Sequence, residues 1–350
     1  MISFARFMEL ALYCPDCGYY EKENDRLGRR GDFYTSVRVG TLFGELLAFQ
    51  FAEWLATLSD TKPQLVEIGA HDGQLAKDIL TWLRKWRPAL FEGLEYVICE
   101  PSARRTEWQR HTLENFANRV RWISGDLKSQ SGTLNGVVFS NELLDAMPLH
   151  RLSWDASRQE WLERGVCIKE NQFAWERMER SGVLNMSMAF QQLLRWSAEL
   201  RDALPDGFST EISPAAEKWW TEAAAALQRG WLLTLDYGLS SIEFLAPHRV
   251  NGTLRGYRGH KLSHDFLANP GEQDLTAHVH FDSIQLAGES TGLRTALLQT
   301  QASFFAGIME RFWPEAERCG AWTGGRSRQF QTLVHPEHLG RAFQVLVQTR

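Results

Sequence analysis

The sequence predicts an α/β protein built on a parallel sheet, and three observations lead to that class. Short apolar segments alternate with helical patterns from Leu65 onward, for about the length of one domain. A glycine-bearing turn joins the first strand to the first helix. Polar residues follow several strands directly, and because parallel strands end at one edge of an open sheet, they predict a ligand-binding crevice there.

The first strand, turn and helix occupy residues 64–80. Leu65, Val66 and Ile68 form the apolar part of the strand, and Gly69 and Gly73 bracket the turn before an amphipathic helix. The spacing is Glu-x-Gly-x-His-x-Gly rather than GxGxxG, and no Lys-Ser/Thr follows as in a P-loop. Backbone N–H groups at such a turn suit a nucleoside without a pyrophosphate, with Glu67 placed to reach its hydroxyl pair. The alternative is an ordinary tight connection.

Later segments continue the alternation. Further strands are predicted at residues 95–100, 120–123, 136–140 and 231–235. Helices are predicted at residues 103–116, 189–204 and 214–227. The connection between the strands at residues 136–140 and 231–235 is far longer than an ordinary loop, and it contains strand-like pieces of its own. It is therefore predicted to be an insertion within the main domain.

This pattern predicts four parts of the chain. They are a mostly helical N-terminal segment at residues 1–60, a core at 61–150 and 205–300, an inserted α+β segment at 151–204, and a C-terminal extension of the core at 301–350. The apolar residues of the insertion would permit a homodimer.

The composition excludes several classes of protein. A formal net charge of −5 leaves no general basic surface for nucleic acid. No apolar run approaches the roughly 20 residues of a membrane span. Arg6 and Glu9 interrupt the first apolar residues, unlike a secretory signal. A soluble, intracellular protein is expected, and the odd count of five cysteines fits a reducing compartment.

Cys14 and Cys17 form a Cys-x-x-Cys pair. Zinc would need two further ligands, and no second pair of this kind exists. A redox pair of the thioredoxin type would follow a strand, whereas the residues before Cys14 predict a helix. We interpret the spacing as coincidental, and no metal site is predicted.

Acidic and amide side chains fall at the ends of successive predicted strands. They are Glu67, Glu100, Asp126 and the group Asn141, Glu142 and Asp145. Glu100 suits ribose hydroxyls, and Asp126 suits an exocyclic amine. The alternative for each is a helix N-cap, which applies most strongly to Asp126.

Glu142 and Asp145 would lie on one face if residues 142–146 form a helical turn. Paired carboxylates can hold a guanidinium through bidentate bonds. They can also raise one another's pKa, so that one acts as a general base. The alternative is a capped helix start with a solvated acid.

The chain resembles the MidA-like family of S-adenosylmethionine-dependent methyltransferases, which includes mitochondrial complex I assembly factors. The resemblance spans most of the chain in collinear order. It rests on motifs around Phe4–Met8, Gly31-Asp-Phe33, Thr35-Ser36, the Glu67 turn, Ser140–Pro148, Glu211–Pro214, Asp236–Gly238, Gly252–Leu254 and Asp274–Val279.

The resemblance implies a class I methyltransferase fold with a seven-stranded, mostly parallel sheet, and S-adenosylmethionine as cofactor. It implies that Glu67, Gly69 and Gly73 bind the methionine end and ribose, Glu100 the ribose, and Asp126 and Leu127 the adenine. Asn141 belongs to the same implied site. The N-terminal segment, with Gly31, Phe33 and Thr35, would form a cap over the cofactor.

Two departures from the family pattern matter. Ala70 and His71 stand where the family has Pro and Gly, which could reshape the cofactor loop. Val37 and Arg38 replace the usual Pro-Glu after Ser36, which leaves the substrate open.

The resemblance implies methylation of a protein arginine, on a partner of the respiratory complex I subunit type, with Glu142 and Asp145 as guanidinium ligands. Tyr257, His260 and His278 would either line the acceptor pocket or stabilise the fold. A bacterial protein would be cytoplasmic, and a eukaryotic one would lie in the mitochondrial matrix. The alternatives are a different methyl acceptor, such as a small molecule, or a non-catalytic assembly factor. An NAD-dependent oxidoreductase is disfavoured by the absence of GxGxxG.

Overall fold

The computed structural model describes residues 1–22, 35–58, 62–125, 127–259, 261–316 and 319–350. Four residues of interest, Gly31, Phe33, Asp126 and His260, lie outside the described residues. The chain forms two compact units. The first contains residues 1–22, Leu144–Thr221 and Tyr237–Ala287. The second contains the described residues of 34–143, Glu222–Asp236 and Gly288–Arg350.

The described residues form short strands and helices throughout the chain. The strands are β1 (Ile2–Ser3), β2 (Gln64–Ile68), β3 (Glu95–Cys99), β4 (Val120–Ile123), β5 (Leu134–Asn141), β6 (His150–Asp155), β7 (Glu160–Lys169), β8 (Gln172–Met178), β9 (Ser209–Ile212), β10 (Leu227–Leu239), β11 (Arg255–Arg258), β12 (Lys261–Ser263), β13 (Asp274–Thr276), β14 (Val279–His280), β15 (Arg294–Thr300) and β16 (Phe343–Thr349). The α-helices are α1 (Phe4–Tyr13), α2 (Leu42–Leu55), α3 (Gln74–Trp86), α4 (Pro88–Gly93), α5 (Ala103–Thr112), α6 (Met188–Leu194), α7 (Ala198–Asp202), α8 (Pro214–Ala226), α9 (Ser241–Phe244), α10 (Phe281–Glu289), α11 (Gln301–Ala316), α12 (Gly324–Val334) and α13 (Leu339–Ala342). Short 3-10 helices include Ser36–Val39 and Leu127–Gln130.

A twisted sheet forms the centre of the second unit. Its strand order is β15-β16-β10-β5-β2-β3-β4. The five strands from β10 to β4 run parallel, and β15 is antiparallel to β16. Ile68 pairs with Cys99 on one side and Ser140 on the other, so β2, β3 and β5 end together at one edge. These observations confirm the predicted α/β class.

Local sequence explains the elements beside this edge. In β2 every residue from Leu65 to Ile68 is buried, as expected for a central parallel strand. Helix α3 buries Leu75, Ile79 and Leu83 on one side and ends in a basic turn. Burial of each such aliphatic side chain stabilises the fold by about 1.5–3 kcal/mol. The rigid strand and helix hold the intervening turn in place.

The first unit is built on antiparallel strands. One sheet has the order β1-β7-β6-β9, with β8 paired to β7, and a smaller sheet has the order β12-β11-β13. Helix α1 buries Phe4, Phe7, Met8 and Leu12 in an apolar cluster of this unit. At its end, Tyr13 Oη donates to the carbonyl oxygen of Ala146 at 2.9 Å.

The two units divide the N-terminal residues differently from the predicted parts of the chain. Residues 1–60 do not form one segment, because the apolar face of α1 packs within the first unit whereas α2 packs against α3 in the second. The helix predicted at residues 189–204 is interrupted between α6 and α7. The predicted strands at 95–100, 120–123, 136–140 and 231–235 each overlap an observed strand.

Over the described ranges, every helix falls short of the length and apolar character needed to cross a membrane.

Candidate functional site

The turn between β2 and α3 has an unusual backbone. Gly69, His71 and Gly73 have φ angles of 75°, 47° and 82°. The N–H of Gly73 donates to the carbonyl of Ala70 at 2.7 Å, which closes the turn. A Cβ atom on Gly69 would come within 2.9 Å of Leu143 Cδ1. Both predicted glycines are thus required by backbone conformation, whereas His71 adopts a left-handed φ that is uncommon for residues other than glycine.

The carboxylate of Glu100, at the end of β3, is fully buried and accepts three hydrogen bonds. Its Oε1 atom accepts from the Ser102 N–H and from Arg105 Nε, both at 2.9 Å. Its Oε2 atom accepts from Gln109 Nε2 at 2.9 Å. Arg105 also balances its charge in a buried ion pair. The side chain predicted to bind ribose is therefore held rigidly at the sheet edge.

Gln109 on α5 joins this carboxylate to the glycine turn. The side chain is completely buried, and its Nε2 atom also donates to the carbonyl oxygen of His71 at 3.0 Å. Its Oε1 atom accepts from Trp122 Nε1 at 3.0 Å. One amide thus fixes the turn, β3 and β4 together. Gln109 was not predictable from the sequence, because a lone amide within a polar helix gives no signal.

Glu67 is buried within β2 beside Tyr96 of β3. The Tyr96 hydroxyl donates to Glu67 Oε2 at 2.6 Å, where the sequence predicted contact with a ligand hydroxyl pair. Burial raises the pKa of Glu67 to about 7, against the opposite effect of the tyrosine hydrogen bond. Burial and the neighbouring carboxylate raise the pKa of Tyr96 in turn.

Asn141 ends β5 with an unsatisfied acceptor. Its Nδ2 atom donates to Glu142 Oε1 at 3.1 Å. Its Oδ1 atom is buried and has no hydrogen-bond partner within the described part of the chain. Because a buried acceptor without a partner is costly, this position fits a ligand that carries an N–H or O–H donor.

Glu142 holds the 3-10 helix that follows Thr35. Its Oε1 atom accepts from the backbone N–H of Ser36 at 3.0 Å. The Ser36 hydroxyl donates to Gln301 Oε1 at 3.3 Å, and the half-buried Thr35 lies directly before this helix. The N-terminal segment of the second unit is thus tied to the end of β5.

Arg38 and Asp72 form an ion pair between the same segment and the glycine turn. Asp72 Oδ1 accepts from the N–H of Gln74 at 3.1 Å and lies 3.7 Å from His71 Nδ1. Burial opposes ionisation of Asp72, but the His71 ring and the Arg38 guanidinium outweigh it and hold the pKa of Asp72 below its usual range. His71 and Arg38, two residues that depart from the family pattern, therefore both interact with the carboxylate of Asp72.

The helical turn considered for residues 142–146 is absent. Glu142 has a φ of 50°, and residues 142–147 form bends and a turn. The Glu142 N–H donates to the Leu235 carbonyl, and the Leu143 N–H donates to Asp236 Oδ2 at 3.1 Å. These bonds to the neighbouring strand replace the helical ones. Glu142 belongs to the second unit and Asp145 to the first.

The other predicted residues are placed as follows. Asp145 is buried and lines a cavity of the first unit with Glu211 and His278. Leu127 is buried at the start of its 3-10 helix in the second unit. The described residues contain no group of three His, Cys, Asp or Glu side chains arranged to hold a metal ion.

Comparisons with known proteins agree on one family. A family model described as "Putative S-adenosyl-L-methionine-dependent methyltransferase" matches residues 46–299. The mitochondrial protein arginine methyltransferase NDUFAF7 of Danio rerio is 27% identical, over 98% of this chain and 82% of that protein. The Homo sapiens protein of the same name is 30% identical, over 81% of this chain and 65% of that protein.

A solved structure is similar over the whole chain. It is a crystal structure of a Burkholderia thailandensis protein bound to S-adenosyl-homocysteine. That protein is 31% identical, with a TM-score of 0.83 over 100% of this chain and 88% of that chain. S-adenosyl-homocysteine is the product that remains when S-adenosylmethionine gives up its methyl group.

Proposed function

Because the chain belongs to this family of S-adenosyl-L-methionine-dependent methyltransferases, we propose that it methylates an arginine side chain of a protein partner. The cofactor and the class of reaction follow from the family. The choice of arginine is supported by the names of the relatives and by the acidic residues Glu142 and Asp145.

The observation that carries the proposal is the unsatisfied Oδ1 atom of Asn141. S-adenosylmethionine, when bound, supplies a methyl group activated by its sulfonium and several N–H and O–H donors. We assign one of those donors to Asn141 Oδ1. The turn from Gly69 to Gly73 would admit the cofactor close to the backbone, and Glu100 would accept from the ribose.

The arginine that accepts the methyl group must be bound by carboxylates in order to react. A guanidinium is protonated at neutral pH and is a poor nucleophile. A carboxylate that accepts two of its N–H bonds concentrates the positive charge on the bonded nitrogens and leaves the third better able to attack. We propose Asp145 of the first unit and Glu142 of the second as two separate candidates for this task. Catalysis then depends mainly on alignment for in-line displacement.

The partner is proposed to be a folded or assembling protein, of the complex I subunit type that the family resemblance suggests. If the source is eukaryotic, the mitochondrial names of the relatives support a mitochondrial location. A homodimer remains part of the proposal.

The test begins with calorimetric titration of the full chain with S-adenosylmethionine, with NADH as the control ligand. We expect micromolar binding of S-adenosylmethionine alone. In Asn141→Leu, binding should weaken about tenfold, because the proposed buried hydrogen bond to the cofactor is lost. Stability without the cofactor should change little, since the lost bond to Glu142 is offset by removal of an unsatisfied acceptor. The control is Asn118→Leu, which changes an exposed amide.

Methyl transfer is then measured with methyl-labelled cofactor and arginine-bearing proteins, followed by analysis for methylarginine. Recovery of methylarginine supports the proposal. Cofactor binding with label only on small molecules or on other side chains would contradict the arginine assignment. Binding without any transfer would favour a non-catalytic assembly factor, and unchanged affinity in Asn141→Leu would remove that residue from the site.

A further inference from the structure

The segment Cys14–Cys17 places two free thiols at one tight turn of the first unit. The N–H groups of Cys17 and Gly18 both donate to the carbonyl oxygen of Cys14, at 3.3 and 2.7 Å. A bond from residue i+3 back to residue i is typical of a turn whose outer Cα atoms lie within about 7 Å of each other. Two cysteines farther apart than that cannot be joined by a disulfide, so this backbone meets the geometric requirement.

The local sequence explains why the turn forms here. Proline cannot continue a helix, so Pro15 follows the end of α1, and its fixed φ suits the second position of a turn. Cys14 has a ψ of 124°, in the range expected before proline. Gly18 lets the chain fold back, because a Cβ there would lie 2.5 Å from the Cys14 nitrogen and 2.7 Å from its carbonyl oxygen. The backbone itself therefore brings the two cysteines together.

Contacts after the turn hold it closed. The carbonyl oxygen of Cys17 lies against Gly271, where a Cβ would come within 2.2 Å of it. Three residues further along, Tyr20 Oη donates to Asp274 Oδ1 at 2.7 Å. The backbone is thus fixed while the side chains stay accessible, with Cys14 half-buried and Cys17 exposed.

The two thiols differ in how readily they ionise. The Cys17 thiol hydrogen-bonds to the Cys14 side chain and lowers the pKa of Cys14, and the backbone N–H groups of Asp16 and Cys17 lower it further. The same bond between the side chains raises the pKa of Cys17. Cys14 is therefore the thiol that ionises first, and the thiolate is the form that attacks a disulfide.

As a zinc or thioredoxin-type motif, the spacing is still interpreted as coincidental. A helix rather than a strand precedes Cys14, and the described residues hold no group of three metal-binding side chains. We propose instead that Cys14 and Cys17 form a redox-active dithiol, which exchanges with a small-molecule disulfide of the glutathione type. A small molecule suits the half-buried Cys14. A disulfide across so short a loop removes little entropy from the unfolded chain, so it can open again.

The exchange takes two steps. The Cys14 thiolate attacks one sulfur of the external disulfide, forms a mixed disulfide and releases a thiolate. Cys17 gives its proton to that thiolate and attacks Cys14 Sγ, which forms the internal disulfide and releases the second thiolate. This thiolate takes up from water the proton that Cys14 had lost. The dithiol is oxidised by two electrons, and the external disulfide is reduced to two thiols.

The test uses the full chain at fixed ratios of oxidised to reduced glutathione, without oxygen. Samples are quenched with acid, free thiols are labelled with N-ethylmaleimide, and the tryptic peptide 7–22, which contains both cysteines, is analysed by mass spectrometry. We expect this peptide to lose both labels and two hydrogens as oxidised glutathione increases. Excess reduced glutathione should restore both labels.

Variants separate this site from an ordinary pair of nearby cysteines. Because the turn holds the thiols together, the folded chain should form the disulfide at a glutathione ratio about tenfold less oxidising than the chain in urea. Gly18→Ala, whose Cβ opens the turn, should remove most of this difference. Gly182→Ala, where a Cβ meets no atom within 4 Å, should keep it. Cys14→Ser should give only a mixed disulfide at Cys17, and Cys167→Ser should behave as the parent.

Four results would overturn the proposal. They are a peptide that keeps both labels in excess oxidised glutathione, two separate glutathione adducts in place of the internal disulfide, equal ratios for the folded and unfolded chains, and a disulfide that excess reduced glutathione does not open. The exchange is independent of methyl transfer, so failure of the proposed function would leave this assignment unchanged.

Discussion

At the scale of single residues, Gln109 has the largest predicted effect on stability around the glycine turn. In Gln109→Leu, the Trp122 N–H, the His71 carbonyl and Glu100 Oε2 would each lose a buried partner. We expect the free energy of unfolding to fall by about 3 kcal/mol, measured by urea denaturation. The exposed Gln172→Leu should change it by no more than about 0.5 kcal/mol. An equally small loss in Gln109→Leu would show that the network contributes little.

The raised pKa of Glu67 predicts a specific dependence of the free energy of unfolding on pH. Its pKa rises from 4.5 to about 7 on folding, so between these values the unfolded chain ionises while the folded chain stays protonated. The contribution of Glu67 is therefore fully present below pH 4.5 and is lost as pH rises through 7. Relative to the parent, Glu67→Gln should gain about 3 kcal/mol of stability between pH 4.5 and 8, because it cannot ionise.

The measurement is urea unfolding of both proteins across this pH range. Only the pH-dependent part of the difference is attributed to Glu67, so a constant cost of the extra amide hydrogens does not affect the result. The exposed Glu107→Gln serves as the control. A difference that stays flat with pH would mean that Glu67 is ionised in the folded protein.

Some residues of the candidate site were predictable from the sequence and others were not, for a physical reason. Glu67, Glu100 and Asn141 could be predicted as candidates because a polar residue at the end of an apolar strand stands out from its neighbours. Gln109 did not stand out, and Arg38 stood out only as a departure from the family pattern, because polar residues in a helix or a loop are usually exposed. Their importance depends on partners 38 and 34 positions away in the chain, which no local pattern reveals.

At the scale of elements, the 3-10 helix Ser36–Val39 depends on tertiary contacts, one of which is the bond from the Ser36 hydroxyl to Gln301. The bond from Ser36 to Glu142 and the ion pair of Arg38 with Asp72 hold a segment that is too short to be stable alone. The pair is about 30% exposed, so screening limits its value to about 1 kcal/mol.

Arg38→Met should therefore increase hydrogen exchange in residues 36–39 and weaken S-adenosylmethionine binding about fivefold. The remaining affinity should depend less on salt than that of the parent protein, since an ion pair has been removed. Arg6→Met, which breaks the exposed pair with Glu9 in α1, is the matched control. Parent-like exchange and affinity would show that the segment is held by Glu142 and Gln301 alone.

In the segment from Glu142 to Ala146, tertiary hydrogen bonds determine the backbone conformation, and the local sequence preference for a helix is not realised. An asparagine and a glutamate before Leu143 and Leu144 resemble a helix start, which is why a helical turn was considered. The backbone instead donates to Leu235 and Asp236, and Glu142 takes a left-handed φ. Hydrogen bonds to a strand that is distant in the sequence determine the backbone conformation here. The residues next to Glu142 therefore could not predict it.

At the scale of the whole molecule, the chain passes repeatedly between its two units. The central strands were predictable because each is a short, continuous apolar run. The division was not, because Met1–Tyr13 and residues 144–221 share one core despite their separation in sequence. Hydrophobic periodicity identifies which faces are buried, but it does not identify the partner of each face.

Cofactor binding should appear in the stability of the entire chain. A ligand that binds only the folded state at 100 times its Kd adds about 2.7 kcal/mol to the free energy of unfolding. We expect this gain with S-adenosylmethionine in the parent protein and none in Gly73→Val. Valine at a φ of 82° is strained, and its Cβ would lie 3.3 Å from Gln109 Cα and Leu113 Cδ1. Gly93→Val, whose Cβ meets no atom within 4 Å, should retain the full gain. A gain in Gly73→Val equal to that of the parent would place the cofactor away from this turn, because a distorted loop could not then bind it unchanged.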